Sequence, residues 1–198
     1  LDKLDIPRTH VMGTSAGGMI ALKFAAKYPE KCIGVVSDCA FAKCDEMRKI
    51  MFRTWRHMAR SWGCSTEFAD HVLTQAVGAD YLDGPNGPAI VEMVRTIVGL
   101  NSVDTVVQAC LAMENMDLRE DCKKIKNPTL VITAKKDMLT PMETGASGAG
   151  AQWVADNVPG CELIVYEDIG HADLVECPEK TIASTINFLH RAKQKVLG

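Results

Sequence analysis

Residues Gly13-Thr14-Ser15-Ala16-Gly17 set a serine inside a G-x-S-x-G run. A serine hydroxyl is a weak nucleophile at neutral pH. It needs a base to take its proton, and the base needs an acid to orient it. The second half of the chain offers both. Lys136-Asp137-Met138-Leu139-Thr140-Pro141 supplies a carboxylate, and Gly170-His171-Ala172-Asp173 supplies an imidazole. Ser15, His171 and Asp137 would then serve as nucleophile, base and orienting acid in attack on an acyl carbon. The backbone N–H of Ala16 is the candidate oxyanion donor. Asp38 is a rival orienting acid. Asp173 reads as a loop-capping residue. His10, His57, His71 and His190 fall in the first strand or on helices, and read as structural or solvated.

These roles require particular elements. Residues 9–13 form a short apolar run, read as a buried strand. Residues 16–28 read as a helix that is apolar on nearly every side, stopped by Pro29. Residues 32–38 read as a second strand, so the unit is strand–helix–strand in a parallel sheet. A serine in the tight turn between strand and helix has strained backbone angles and an exposed hydroxyl. Gly13, Ala16, Gly17 and Gly18 are the small neighbours that let strand and helix approach. The free N–H groups at the start of the helix favour a developing oxyanion.

After residue 40 the pattern changes. Met47, Ile50, Met51, Trp55, Met58 and Trp62 recur at three-to-four spacing across 45–62, interleaved with arginines. That is an amphipathic helix. Its Met and Trp side chains either line a substrate pocket or pack against neighbouring helices. Further helices are predicted near 66–77, 88–98 and 102–113, with a loop over 81–88. Strands return at 128–134 and 162–167, with helices over the stretch ending at 158 and over 178–195. Asp137 and His171 each follow a strand end, so they share the carboxyl edge of the sheet with Ser15.

Composition excludes some classes. The chain has 198 residues, 47% apolar and 24% charged, with net charge -3. Its Lys and Arg residues are scattered, which argues against a nucleic-acid partner. No apolar run approaches the roughly 18 residues of a membrane span. The first residues lack the marks of a signal peptide. Eight cysteines occur without a CxxC pair, which disfavours structural zinc. Cys32 and Cys161 fall within predicted strands and Cys110 within a predicted helix. Reduced, buried thiols in a cytoplasmic protein are the expectation, with no metal and no cofactor.

The stretches 11–18, 127–132 leading to Asp137, and Gly170-His171 with its closing helix resemble the α/β-hydrolase superfamily. The likeness is to its small esterase, lactonase and enol-lactonase members, and covers essentially the whole chain. It implies an α/β fold with a parallel-sheet core at 1–40 and 116–198, and a helical cap inserted at 41–115. It implies cleavage of a small carboxylic ester or lactone through an acyl-serine intermediate, with Ser15, Asp137 and His171 in that chain order. The same residues would serve an acyltransferase, and some relatives are small-molecule receptors. Thr14 and Ala16 lean toward hydrolysis. The family's sheet begins with several strands ahead of the nucleophile strand, so N-terminal strands are expected to be missing here. A preceding segment or companion chain would complete the fold. The second oxyanion donor and the substrate-binding residues stay unnamed.

Overall fold

The computed structural model describes residues 1–197. Its centre is a four-stranded parallel sheet in the order β1 (Thr9–Thr14), β2 (Cys32–Asp38), β3 (Thr129–Ala134), β4 (Glu162–Tyr166). The helix α1 (Ala16–Lys27) joins β1 to β2. Between β2 and β3 run α2 (Glu46–Trp62), α3 (Thr66–Ala76), α4 (Ala79–Leu82), α5 (Gly87–Gly99), α6 (Val103–Asn115) and α7 (Arg119–Cys122). The helix α8 (Ala151–Asn157) precedes β4, and α9 (Asp173–Glu176) and α10 (Pro178–Leu197) follow it.

Both inner strands are buried at every position. They read as unbroken apolar runs because helices cover both sheet faces. Alternate residues feed opposite cores. Val35 and Val131 pack with Met19 and Leu22 of α1 and Val154 of α8. Val36, Leu130 and Ile132 pack with Phe188 and Ala192 of α10. Each such large side chain removed from water contributes about 1.5–3 kcal/mol.

The edge strand differs. β1 is only partly buried, and Met12 is 39% exposed. The first helix, apolar on nearly every side, is likewise open at one face. α1 buries Met19, Ala21, Leu22 and Ala25, but Ile20 is 65% exposed. Among the described residues β1 has β2 as its one strand neighbour, so that flank of α1 has nothing over it.

The helices between β2 and β3 pack mainly with one another, α2 against α6 and α3 against α5. Trp55 meets Phe52 and Phe68 edge-on, with ring centroids 5.7 and 6.1 Å apart. That is a favoured aromatic geometry. The inward stripe of α2 is the predicted one only in part, since Met51, Trp55 and Met58 do face the core. Phe52, Met58 and Ala59 are buried, whereas Met47, Ile50 and Trp62 are exposed. Met47 and Ile50 turn away from the Phe52–Trp55–Ala59 line, and Trp62 sits at the helix end. The one-turn helices α4, α7 and α9 went unpredicted, and α4 overlaps the expected loop, because so few residues show no apolar period.

All eight cysteines are free thiols, and Cys161 lies one residue ahead of β4 rather than within it. Among the described residues no single helix is long and apolar enough to cross a membrane.

Candidate active site

Sterics decide the turn between β1 and α1. A Cβ built on Gly13 would lie 2.1 Å from the carbonyl oxygen of Gly17, and one on Gly18 would lie 2.8 Å from Cβ of Ala40. Backbone meets backbone there, so Gly13 has no substitute. Gly17 is different, since a Cβ on it would meet nothing within 4 Å. Its smallness is not what lets strand and helix approach.

Ser15 sits at the apex with φ 56° and ψ −123°. A side chain in that region of backbone space costs on the order of 1–3 kcal/mol and persists only where surroundings enforce it. The Ser15 N–H donates to the Asp38 carbonyl at 2.8 Å, and its own carbonyl accepts from the Gly18 and Met19 N–H groups. Although Ser15 occupies the position preceding α1, its hydroxyl does not cap the helix. Among the described residues Ser15 Oγ makes no hydrogen bond, and the Ala16 N–H donates to no acceptor. A free hydroxyl thus stands beside a free donor at a helix start.

Asp137 follows β3 and is held on all sides. Its Oδ1 accepts from the N–H groups of Leu139 and Thr140, each at 2.8 Å. Its Oδ2 accepts from His171 Nδ1–H at 2.9 Å. The Thr140 hydroxyl stands 2.6 Å from Asp137 Oδ2, 2.6 Å from the Cys39 carbonyl and 3.0 Å from His171 Nδ1. It carries one proton, which serves one of the two oxygens at a time. Its lone pair shares the Nδ1–H with Asp137. This arrangement fixes the tautomer, leaving Nε2 of the neutral ring as the basic nitrogen. The structure therefore brings His171 to Asp137. Asp38, the rival acid, makes no hydrogen bond to His171. Its carboxyl accepts from the Thr14 hydroxyl at 2.8 Å.

Thr140 was missed from the sequence. Its signal was available in the spacing, since an Asp with a Thr three residues on is a turn that caps itself. Asp173 does accept the Leu174 N–H as a capping residue would, but it is wholly buried and also accepts from the Thr181 hydroxyl at 2.9 Å. His10, His57, His71 and His190 lie on β1, α2, α3 and α10, outside this cluster. Of the apolar side chains considered for a pocket, Trp55 lines a cavity of about 230 Å³ among α2, α3, α5 and α6, together with Phe68, Val98 and Met113. Met47 and Trp62 do not line it.

Burial pulls the His171 proton affinity down, but the hydrogen bond and charge of Asp137 outweigh it and leave the imidazole above its ordinary 6.5. Burial pushes the Asp137 carboxyl up, and His171 and Thr140 more than offset it, so the group stays below its ordinary value. A base works only after losing its proton. Acyl-transfer rates, as kcat/KM for a small ester, should therefore fall as pH drops through a midpoint above 6.5. A flat profile across that range would remove His171 as the base.

Ligand atoms of Cys39, Asp137 and His171 lie within 4.8 Å of one another, as do those of Asp38, Cys39 and Asp173. Burial drives the Cys39 thiol far above its ordinary value, so it stays protonated and is a poor metal ligand. Asp137 and His171 already satisfy each other.

The family model described as the alpha/beta hydrolase fold matches residues 1–178. A Caulobacter sp. (strain K31) protein that carries the name carbamate hydrolase RutD is 29% identical over 192 residues, covering 96% of this chain and 68% of its own length. The 3-oxoadipate enol-lactonase 2 of Acinetobacter baylyi is 27% identical over 179 residues, 90% of this chain and 62% of its own. Among solved structures, the enol-lactonase from Burkholderia xenovorans LB400 superposes with a TM-score of 0.84 at 24% identity, covering 96% of this chain and 68% of that one. At that identity the likeness shows the fold. The chain spans about two thirds of the length of these relatives.

Proposed function

We propose, from the premise that this chain belongs to the alpha/beta hydrolase fold family, that it is a serine hydrolase cleaving a carboxylic ester or lactone of a small molecule. One observation carries the reading. A serine at positive φ keeps a free hydroxyl at the carboxyl edge of the sheet, where the hydrogen-bonded His171–Asp137 pair also lies.

The proposed reaction uses these groups in turn. Nε2 of His171 takes the Ser15 proton as Oγ bonds the acyl carbon, and the carbonyl electron pair moves onto oxygen. The Ala16 N–H donates to that oxyanion. Collapse expels the alkoxide, which takes the proton from His171, and leaves an acyl-serine. Water then gives a proton to His171 and its hydroxyl attacks the acyl carbon. Ser15 Oγ departs and regains its proton, and the product is a carboxylic acid. Asp137 and Thr140 hold the imidazole throughout. Incubation with a fluorophosphonate probe and peptide mass analysis should place one label on Ser15. A label elsewhere would assign the nucleophile to another residue.

We read residues 41–115 as a cap over the core formed by 1–40 and 116–198. Two contacts support this. The Ala172 N–H, next to His171, donates to the Ala76 carbonyl at 3.0 Å, and the Gly78 N–H donates to Glu176 Oε1 at 3.1 Å. The relatives' names point to lactone and carbamate substrates, each with an acyl carbon that the same steps would attack. Free, mostly buried thiols support a cytoplasmic setting. The scattered charge gives no reason to expect nucleic-acid or membrane partners.

A preceding segment or companion chain would complete the sheet along β1. The exposure of Met12 and Ile20 supports this, as does the greater length of the relatives. Each large apolar side chain left open forfeits about 1.5–3 kcal/mol, against a total stability of about 5–15 kcal/mol. Residues 1–198 expressed alone should therefore bind a hydrophobic dye and melt broadly. A sharp cooperative melt of the monomer, with its mass verified, would refute the need for cover.

A further inference from the structure

The sequence left Asp38 as a rival triad acid, but the hydrogen bond from His171 goes to Asp137. Asp38 is nonetheless the point where three parts of the site meet. Its carbonyl accepts the Ser15 N–H, and its carboxyl Oδ2 accepts the Thr14 hydroxyl, both at 2.8 Å. The next residue, Cys39, has φ 43°, and its carbonyl faces the Thr140 hydroxyl that orients Asp137 and His171. The third part is the His171 loop, reached through Asp173.

Asp38 and Asp173 are both fully buried, and their carboxyl oxygens, with Cys39 Sγ, lie within 4.8 Å of one another. Asp173 has Oδ1 on the Leu174 N–H and Oδ2 on the Thr181 hydroxyl. Asp38 Oδ1 is sealed from solvent and meets no donor among the described residues. Two buried carboxylates this close together do not both ionise without a cation between them. A proton on Asp38 Oδ1 resolves both problems, because it neutralises one group and gives a donor to the other.

We infer that Asp38 and Asp173 hold one proton between them, and that this pair clamps the Ser15 turn to the His171 loop, making Asp38 a positioning residue. The clamp's role in catalysis rests on the serine-hydrolase reading, whereas the shared proton does not.

Burial and the neighbouring Asp173 charge push the Asp38 carboxyl up to about 7. Burial also raises Asp173. The titratable groups around the pair are the Cys39 thiol, Asp137 and His171, with Glu176 and Cys177 also within reach of the Asp173 charge. Thr14 from β1 and Thr181 from α10 offer hydroxyls that do not titrate. The sign follows. A carboxyl raised in the fold lends stability that is fully present below its unfolded value, about 3.9, and lost as pH rises through about 7. Loss of the shared proton sets two carboxylates against each other and loosens the clamp.

The test uses Asp38→Asn, Asp38→Ala and Asp173→Asn in the complete natural coding sequence. Asn keeps the shape and can still donate to Asp173, and Ala can do neither. The wild type should show an infrared band for a buried protonated carboxyl, absent in Asp38→Asn. Its Tm should fall, relative to Asp38→Asn, as pH rises from about 4 to about 7, and run parallel to it above that range. Fluorophosphonate labelling of Ser15 should slow about 10²-fold in Asp38→Ala, the scale of a small misplacement at a reacting centre, and recover to within about tenfold in Asp38→Asn. Tm–pH curves that also run parallel within that range, or a carboxyl band that survives both Asn variants, would overturn the shared proton. Equal labelling in Ala and Asn variants would overturn the clamp. Should Asp38→Ala fail to fold, Asp173→Asn decides through the band and the Tm curve. A wild type that shows the band and the Tm slope yet never labels at Ser15 would leave the shared proton standing and defeat the hydrolase reading.

Discussion

Ser15→Ala should lower kcat for ester hydrolysis by about 10⁶-fold, the scale seen when a triad serine is removed from a serine protease. The fold should survive, and with it the residual rate that binding and the oxyanion donor supply. The geometry gives the reason. Ser15 Oγ makes no bond that holds α1 or β1, since the turn is secured by backbone contacts to Asp38, Gly18 and Met19. Removing the hydroxyl therefore deletes chemistry and almost no structure. Fluorophosphonate labelling should vanish in the same variant. Stability should be unchanged within about 0.5 kcal/mol, as for substitutions that break no contact. A variant that keeps substantial turnover would move the nucleophile to another residue.

Asp137→Asn should cost about 10⁴-fold in acylation rate, following the precedent for a triad aspartate changed to its amide. Here the cause can be followed atom by atom. Oδ1 accepts two backbone N–H groups, so the Asn side chain keeps its oxygen there. Its amide nitrogen then replaces Oδ2 and donates to His171 Nδ1 and to the Thr140 hydroxyl oxygen, whose own proton goes to the Cys39 carbonyl. The imidazole is driven to the other tautomer, with its proton on Nε2, and can no longer take one from Ser15. The midpoint of the pH profile should drop as well, because the carboxylate that held His171 above its ordinary value is gone. Asp38→Asn should leave that tautomer alone. If the Asp38 change proves the crippling one, the orienting acid lies at the end of β2.

Much of this could be read from the chain. The turn at Ser15 is local, made by Gly13 and Gly18 against a strand and a helix that follow each other directly. The buried strands β2 and β3 announce themselves as apolar runs with no polar alternation. His171 and Asp137 each follow a strand end, and parallel strands send all such ends to one edge. Periodicity gave the longer helices between β2 and β3, though it placed only part of the α2 face that turns inward. That face depends on what α6 and α3 present to it, and no window along α2 contains that information.

What the sequence by itself determined was the order of elements, the chemical identity of the three groups, and the edge where they collect. These follow from short-range sterics and from the direction of the chain. Only the tertiary structure decided which carboxylate serves His171. Asp38 ends β2 and Asp137 follows β3 on the same edge, and although the sequence ranks Asp137 first, it does not show which of them His171 meets. The Asp137 turn closes on its own Leu139 and Thr140 amides and leaves Oδ2 pointing at Nδ1. Asp38 instead turns toward Thr14 and Asp173. Thr140 reaches Cys39 across 101 residues of chain, and Asp173 comes to Asp38 from after the last strand. Such contacts are made between strands and loops that only the packed sheet brings together, so the division of labour among the four acidic and basic groups is a property of the assembled edge.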